Sequence, residues 1–350
     1  MTPILPPSDV TVLRPEHLAI RKLPVNIKQE DLGLFSHELK RVIPQTRLVR
    51  HHKVGVSAEG ILFQKGRMLP ESFAWPANRA SWKPRSVLKF LLSNYLVRRR
   101  RHIDRESALV TDDWSYGYFH WLADVLPRLL TIQDRLHEVV LLLPHTYKQL
   151  EFVDSSLKPF DIGKLEYIDP DEVLVCGNLI MPTQTAPSGH YNEELIRDVG
   201  RLMVGHYGDK ARDTPSDRVY ISRAGAPKRR VVNEEELEVV LERFGFRTIR
   251  SEDNSFADQV RISSGVRYLI SNHGAGLTNM LFMSPGTNVL ELRHATDSIN
   301  NCYFTLASAL NLNYFYQNCE PANPTEDPHS ADLKVDPGTL TANIELMLNS

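Results

Sequence analysis

From Arg218 onward the chain alternates between a strand-like and a helix-like hydrophobic pattern, and that alternation leaves few folds open. Arg218-Val219-Tyr220-Ile221-Ser222 reads as a buried strand. A helix follows from Asn233, because Leu237, Val240, Leu241 and Phe244 recur at i, i+3, i+4 and i+7 and Gly245 supplies a C-terminal stop. Asn233 with Glu236 has the spacing of a capping box, with Asn in place of Ser or Thr. Phe246-Arg247-Thr248-Ile249 is the next strand, about Ser255 to Ser264 the next helix, Tyr268-Leu269-Ile270 a third strand, and Asn288 to Leu292 a fourth after the Pro285-Gly286 turn. Such repetition requires parallel pairing with right-handed crossovers, which places ligands at the carboxyl ends of the strands.

Between the third and fourth strands stands Ser271-Asn272-His273-Gly274-Ala275-Gly276-Leu277-Thr278-Asn279. A strand that ends in a glycine-rich turn and feeds a short helix presents unpaired N–H groups and a positive dipole end, which suit a phosphate. A tight turn that needs glycine for its backbone angles explains the same residues. The stretch is neither a P-loop nor a G-x-G-x-x-G fingerprint. The loop after the first strand carries Arg223, Arg229 and Arg230 and opens on the same sheet edge as His273. Three arginines and a helix N-terminus at one crevice are expected to form a diphosphate site.

The first half is less regular. Gly60 to Phe63 and the Lys65-Gly66-Arg67 turn suggest a β-rich lead-in. The run Arg98 to Arg101 admits docking on an anionic membrane or a phosphate-rich acceptor, and also a solvated helix end, the commoner case. In Tyr118 to Leu130, the residues Leu122, Val125, Leu126, Leu129 and Leu130 form a core-facing helical stripe, with His120, Asp124 and Arg128 opposite. The spacing of His120 and Asp124 sets an imidazole beside a carboxylate. Pro127 is expected to remove the bond to the carbonyl of Ala123 and kink the helix. A solvent-facing polar stripe would account for the pattern, as would a sugar-binding wall, since Tyr116, Tyr118, Phe119 and Trp121 crowd the helix start.

Glu138 to Leu143, Leu165 to Ile168 and Leu174 to Cys176 read as further strands, and Asn192 to about Tyr207 as a helix capped by Asn192. The polar tract Gly208 to Asp217 is the expected domain boundary. The division is therefore residues 1–208, an α/β domain with its lead-in, then 209–325, a second α/β domain, then 326–350, a tail ending in an amphipathic helix that could pack on either domain.

The net charge of -2 over 350 residues argues against bulk nucleic-acid binding. Cys176, Cys302 and Cys319 are odd in number and lack metal-type spacing, so neither a disulfide framework nor a zinc site is expected, and a reducing cytosol fits best. The N-terminus has no basic, then apolar, leader, and no run of about 18 uncharged apolar residues occurs. A cytoplasmic protein is expected, peripheral at the inner face of a membrane at most.

Phe119-His120-Trp121-Leu122 with Asp124, Pro127 and Arg128, then Ser222-Arg223 with Arg229-Arg230 and Asn233-Glu234, then His273-Gly274-Ala275-Gly276-Leu277-Thr278-Asn279 before Glu291, together resemble glycosyltransferase family 61, including its bacterial polysaccharide-assembly members. The resemblance spans about residues 110 to 295. It implies two Rossmann-like domains facing across a cleft, the GT-B type, with residues 1–208 on the acceptor side and 209–325 binding the nucleotide-sugar, and inverting transfer from that donor, with a UDP-sugar expected first. It further implies no required metal or other cofactor, and a glycan acceptor, lipid-linked among the options, in capsular, exopolysaccharide or lipopolysaccharide assembly. On this reading His120 with Asp124 is the base, His120 taking the proton or Asp124 acting directly. Arg223, Arg229, Arg230 and the turn at Gly274, Ala275, Gly276, Leu277 and Asn279 hold the diphosphate. His273 is a diphosphate donor or a lock on the turn, and Glu291 is a candidate for a ribose or sugar hydroxyl. Asn233 and Glu234 serve helix capping first and ligand contact second. Asp169-Pro170-Asp171 imitates a metal-binding D-x-D, but a charged turn explains it and no metal is assigned. A non-catalytic nucleotide- or anion-binding module is the alternative.

Overall fold

A computed structural model describes residues 9–208 and 217–350. Residues 1–8 and most of the polar tract expected to separate the domains lie outside the described residues. Two compact mixed α/β units form, one from residues up to His17 with Ile43–Ser188, the other from Leu18–Val42 with Gly189–Ser350.

The second unit is built on the strand–helix alternation that begins at Arg218. Its strands Arg218–Ser222, Arg247–Arg250, Tyr268–Asn272, Asn288–His294 and Asn313–Pro321 pair in parallel, and the short antiparallel Leu333–Lys334 closes one edge. Numbered along the chain, the five parallel strands lie in the order 2-1-3-4-5. The order reverses between Arg218–Ser222 and Tyr268–Asn272, and a doubly wound sheet leaves its ligand crevice there. Helix Glu193–Tyr207 starts at Asn192, whose side chain accepts from the N–H of Leu195 at 3.2 Å, as expected of this cap. The helix buries Leu195, Ile196, Val199 and Met203 within this unit, so the contact boundary falls ahead of it, at 188/189. The C-terminal helix Pro337–Leu348 also packs here, setting Leu340, Ile344 and Met347 against Tyr220, Leu237 and Leu241.

The first unit carries a nine-stranded mixed sheet. Lys164–Ile168, Val140–Pro144, Ser107–Leu109 and Glu172–Pro182 are parallel neighbours, whereas Thr46–Ser57 runs antiparallel to Glu172–Pro182 and continues through Leu62–Gln64 to Arg67–Met68. The hairpin turns at Lys65 and Gly66, both at positive φ (48° and 73°), and a two-residue reversal of this kind makes antiparallel strands rather than a crossover. The β-rich lead-in is thereby joined to the α/β part in one sheet.

Two local expectations are corrected in this unit. Arg98 to Arg101 is no solvated helix end: Arg99–Ile103 is a strand parallel to Glu172–Cys176. Arg98 pairs with Glu59 at 2.9 Å, Arg99 with Glu172 at 3.3 Å, and Arg101 with both Glu172 and Glu166. Those carboxylates come from elements far along the chain, which local patterning does not reveal.

The second correction concerns Tyr118 to Leu130. It is one α-turn, Tyr118–His120, a wide π-turn, Trp121–Val125, and a short α-helix, Leu126–Leu130. The disturbance expected from Pro127 takes the form of that π-turn, where the N–H of Leu126 reaches back to the carbonyl of Trp121. Only His120 of the polar stripe reaches solvent, and in part, for every residue from Trp121 to Leu130 is buried. Its charged groups instead find internal partners. No helix among the described residues is long and apolar enough to cross a membrane.

Candidate functional site

Two constellations contain the residues singled out from sequence, one in each unit. In the second unit, the adjacent strands Arg218–Ser222 and Tyr268–Asn272 end at the point of order reversal and deliver Arg223 and His273. The turn after His273 leads into the 3₁₀ helix Ala275–Phe282, with the N–H of Leu277 bonded to the carbonyl of Gly274 at 2.9 Å. Gly274 has φ 169°, extended backbone open to any residue, so backbone angle is not why glycine stands there. A Cβ at Gly274 would meet the Arg223 guanidinium at 2.5 Å, and one at Gly276 would meet Cγ2 of Ile221 at 2.8 Å. Glycine is required by close approach, of a cation in one case and of the neighbouring strand in the other.

Arg223 donates through one Nη to the carbonyl of Lys228 at 3.3 Å, while its Nε is buried without a partner among the described residues. Burial pulls its guanidinium below the ordinary arginine value, and the neighbouring charge of Arg229 adds to that. The Nε of Arg229 is likewise buried and unpartnered. Arg229 also sits at φ 57°, a left-handed conformation that costs a non-glycine residue about 1–3 kcal/mol. The side chain of Asn272 holds it there by donating to the Arg229 carbonyl. Two half-buried like charges with orphaned Nε donors near a glycine turn form a site suited to an anion.

Arg230 differs. Its Nη2 and Nε bind the carboxylate of Asp332 at 2.8 and 3.1 Å, so its charge is already compensated. Asn233 does not cap its helix through the side chain; it exchanges two hydrogen bonds with the backbone of Val335, at 2.8 and 3.0 Å, and donates to Glu236. Glu234 accepts from the Tyr220 hydroxyl at 2.6 Å. Both therefore fasten the loop to the C-terminal strand and the sheet.

His273 is held at both ring nitrogens, Nδ1 by Glu291 at 2.5 Å and Nε2 by the Asn300 amide at 2.9 Å, with the Tyr303 ring edge against it. Burial alone would raise the Glu291 carboxyl; His273, Arg293 and the Tyr314 hydroxyl at 2.6 Å outweigh it and hold the group below the ordinary glutamate value. Glu291 is 1% exposed. Fully engaged within the protein, it is placed to lock His273 and not to meet a sugar hydroxyl. Leu277 is core, and Asn279 donates to Gln259 at 2.9 Å, so both anchor the turn from below.

These geometries separate the two glycines. For Gly274→Ala we expect little change in melting temperature, because the clash is relieved by moving the end of a flexible side chain, yet at least a tenfold loss of nucleotide affinity as Arg223 is displaced. For Gly276→Ala we expect destabilisation of about 1–3 kcal/mol from overpacking a core strand, read by chemical denaturation.

In the first unit, Nδ1 of His120 lies 2.8 Å from Oδ2 of Asp124, which also accepts from the Ser188 hydroxyl at 2.8 Å. With Nδ1 committed to a carboxylate, Nε2 is the basic nitrogen of the ring. The imidazole keeps 25% of its side-chain surface and is flanked by Trp114 and Phe119 at ring distances of 5.1 and 5.0 Å. Burial pushes Asp124 above the ordinary aspartate value, against the lowering pull of His120 and Ser188. Of the aromatics expected to form a sugar-binding wall, Tyr116 is 46% exposed, whereas Trp121 is fully buried with its Nε1 donating to Ser156 at 2.7 Å.

Trp114, 41% exposed, and Ser188 were not foreseen; Ser188 is 64 residues from Asp124 and carries no local signal. Arg128 is 1% exposed and pairs with Asp112 at 3.0 Å while donating to the carbonyl of Pro182 at 3.1 Å. It braces the site from inside. Truncation to Arg128→Ala leaves the buried Asp112 carboxylate without its counter-charge, and we expect it to cost about 3–5 kcal/mol in urea unfolding.

Residues 118–290 match the family model described as Glycosyltransferase 61. Among curated proteins the chain is similar to protein O-linked-mannose beta-1,4-N-acetylglucosaminyltransferase 2 of Takifugu rubripes, 33% identical over 168 residues, 45% of this chain and 27% of the relative. It is also similar to the EGF domain-specific O-linked N-acetylglucosamine transferase of Mus musculus, 30% identical over 135 residues, 36% and 25% of the two chains. A third match, to the first-named enzyme of Xenopus tropicalis, is 35% identical over 100 residues, 28% and 17%. The chain thus spans about a quarter or less of the length of these relatives.

Proposed function

We propose, on the premise that residues 118–290 belong to glycosyltransferase family 61, that this chain moves a sugar from a nucleotide-sugar donor to a hydroxyl acceptor with inversion at the anomeric carbon. The observation that carries the reading is the pair of half-buried arginines Arg223 and Arg229, each with a buried Nε that has no partner among the described residues, with Arg223 against Gly274 at the order reversal of the second sheet. The second unit binds the donor and the first activates the acceptor, the division of labour of a GT-B enzyme.

In the reaction the acceptor oxygen forms a bond to the anomeric carbon while the bond from that carbon to the nucleoside diphosphate breaks, through an oxocarbenium-like state. The acceptor proton passes to Nε2 of His120, and Asp124 stabilises the imidazolium that results. Because Asp124 is buried and already accepts from both His120 and Ser188, the geometry favours His120 over Asp124 as the base. The departing diphosphate takes up negative charge, which Arg223, Arg229 and the N–H groups of the glycine turn balance, so that the chain's own cations serve where other transferases use a metal ion. Arg230, Asn233, Glu234, His273 and Glu291 position that loop and turn.

The names of the relatives favour N-acetylglucosamine as the sugar moved, and UDP is the carrier to test first. The acceptor is a glycan hydroxyl; capsular, exopolysaccharide and lipopolysaccharide chains are the polymers to test, alongside the O-mannosyl and EGF-domain acceptors those names suggest. A panel of nucleotide-sugars read by thermal shift, then by product formation with each acceptor, tests the proposal. A stabilising donor that is turned over supports it. Binding with no turnover under any acceptor favours the non-catalytic module, and no binding at all removes the donor site.

A further inference from the structure

The segment from Ser72 to Ile103 contains eight Lys or Arg and no Asp or Glu. Its centre is the helix Pro84–Leu92, extended by the π-turn Ser93–Val97. The inner face is accounted for: Val87 and Phe90, with Trp82, pack on Ile61, Met68 and Phe73. The outer face is not. Leu88, Leu92, Leu96 and Val97 stand 58, 48, 77 and 79% exposed. At 100° per residue Arg85, Leu88, Lys89 and Leu92 share one side of the helix, and the wide turn that follows sets Leu96 and Val97 beyond them. Of the arginines downstream, Arg98 and Arg101 are spent in ion pairs, whereas Arg100 is exposed above the Tyr95 ring.

An exposed row of leucines between cations is costly in water and suits the boundary between headgroups and acyl chains, where leucines enter the apolar layer and cations meet phosphate. A second copy of the chain is a poor cover, because a symmetric contact would press two acid-free, cationic faces together. We propose that this face, Leu88, Leu92, Leu96 and Val97 with Arg85, Lys89 and Arg100, docks the chain on an anionic lipid surface. The contact moves from the arginine run considered in the sequence to the helix before it, and it does not depend on the proposed chemistry.

Co-sedimentation of the full chain with phosphatidylcholine vesicles, with and without phosphatidylglycerol, tests it. We expect at least about tenfold tighter binding to the anionic vesicles, weakened by salt. The triple variant Leu88→Ser/Leu92→Ser/Leu96→Ser and the double variant Arg85→Glu/Lys89→Glu should each lose most of that binding with an unchanged melting temperature, since these side chains leave the core untouched. Leu96→Trp should retain binding and add tryptophan emission that brominated acyl chains quench. Equal sedimentation with both vesicles, a triple variant that binds like the parent, or an unquenched Trp at this position would overturn the proposal. So would a dimer that the triple variant converts to monomer without any affinity for lipid.

Discussion

His120→Ala lowers kcat/KM for sugar transfer by about 10²–10⁴-fold, the usual worth of a positioned general base, and leaves the thermal shift produced by a nucleoside diphosphate unchanged. The expectation rests on two separate facts. The ring has one committed nitrogen, 2.8 Å from Asp124, and a quarter of its side-chain surface remains accessible, so it can both hold orientation and meet a substrate. The groups proposed to bind the diphosphate lie in another compact unit, which folds around its own core. Asp124→Asn should fall nearly as far, because an amide in that place permits the wrong tautomer. Ser188→Ala should cost roughly tenfold, since it removes one of two hydrogen bonds that orient the carboxylate. A His120→Ala enzyme of near-normal rate would remove the imidazole from the mechanism.

Arg223→Ala and Arg229→Ala each cost about 2–4 kcal/mol in the transition state, or roughly 10¹–10³-fold in kcat/KM, and the double variant gives no thermal shift with nucleoside diphosphate. Arg230→Ala behaves otherwise. Its guanidinium is half-exposed and spent on Asp332, so the change costs about 1 kcal/mol or less of stability and leaves transfer close to normal. A ranking with Arg230 as the most damaging of the three would show that the loop presents a different face to the donor. Removing either member of this like-charged couple also relieves repulsion, so Arg229→Ala should slightly raise the melting temperature of the free protein while weakening its response to nucleotide.

The second unit was largely legible because its signals are local. Period and punctuation located the strands at Arg218–Ser222 and Tyr268–Asn272, and the parallel topology put Arg223 and His273 on one edge. Asn192 announced its helix in the same way. What the sequence left hidden was decided by partners distant in the chain. Asn233 has a capping position, yet its amide is claimed by Val335; Arg230 matches Arg223 in charge, yet Asp332 claims it. The strand Asn313–Pro321 and helix Cys302–Ala309 went unforeseen, since their apolar runs carry little periodicity. In Tyr118 to Leu130 helical spacing correctly set His120 beside Asp124, but spacing cannot separate a polar face turned to water from one satisfied inside by Asp112, Ser188 and Pro182. Glycine at Gly274 was legible as a requirement and illegible as to cause, because the cause is the side chain of Arg223.

Calorimetric titration of the purified chain with UDP, and with uridine for comparison, bears most directly on whether Arg223, Arg229 and the turn at Gly274 hold a diphosphate. We expect UDP to bind at least about a hundredfold more tightly than uridine, a gap of about 2.7 kcal/mol, and that advantage to vanish in Arg223→Ala/Arg229→Ala. Equal affinity for UDP and uridine, or a double variant that still prefers UDP, would contradict it.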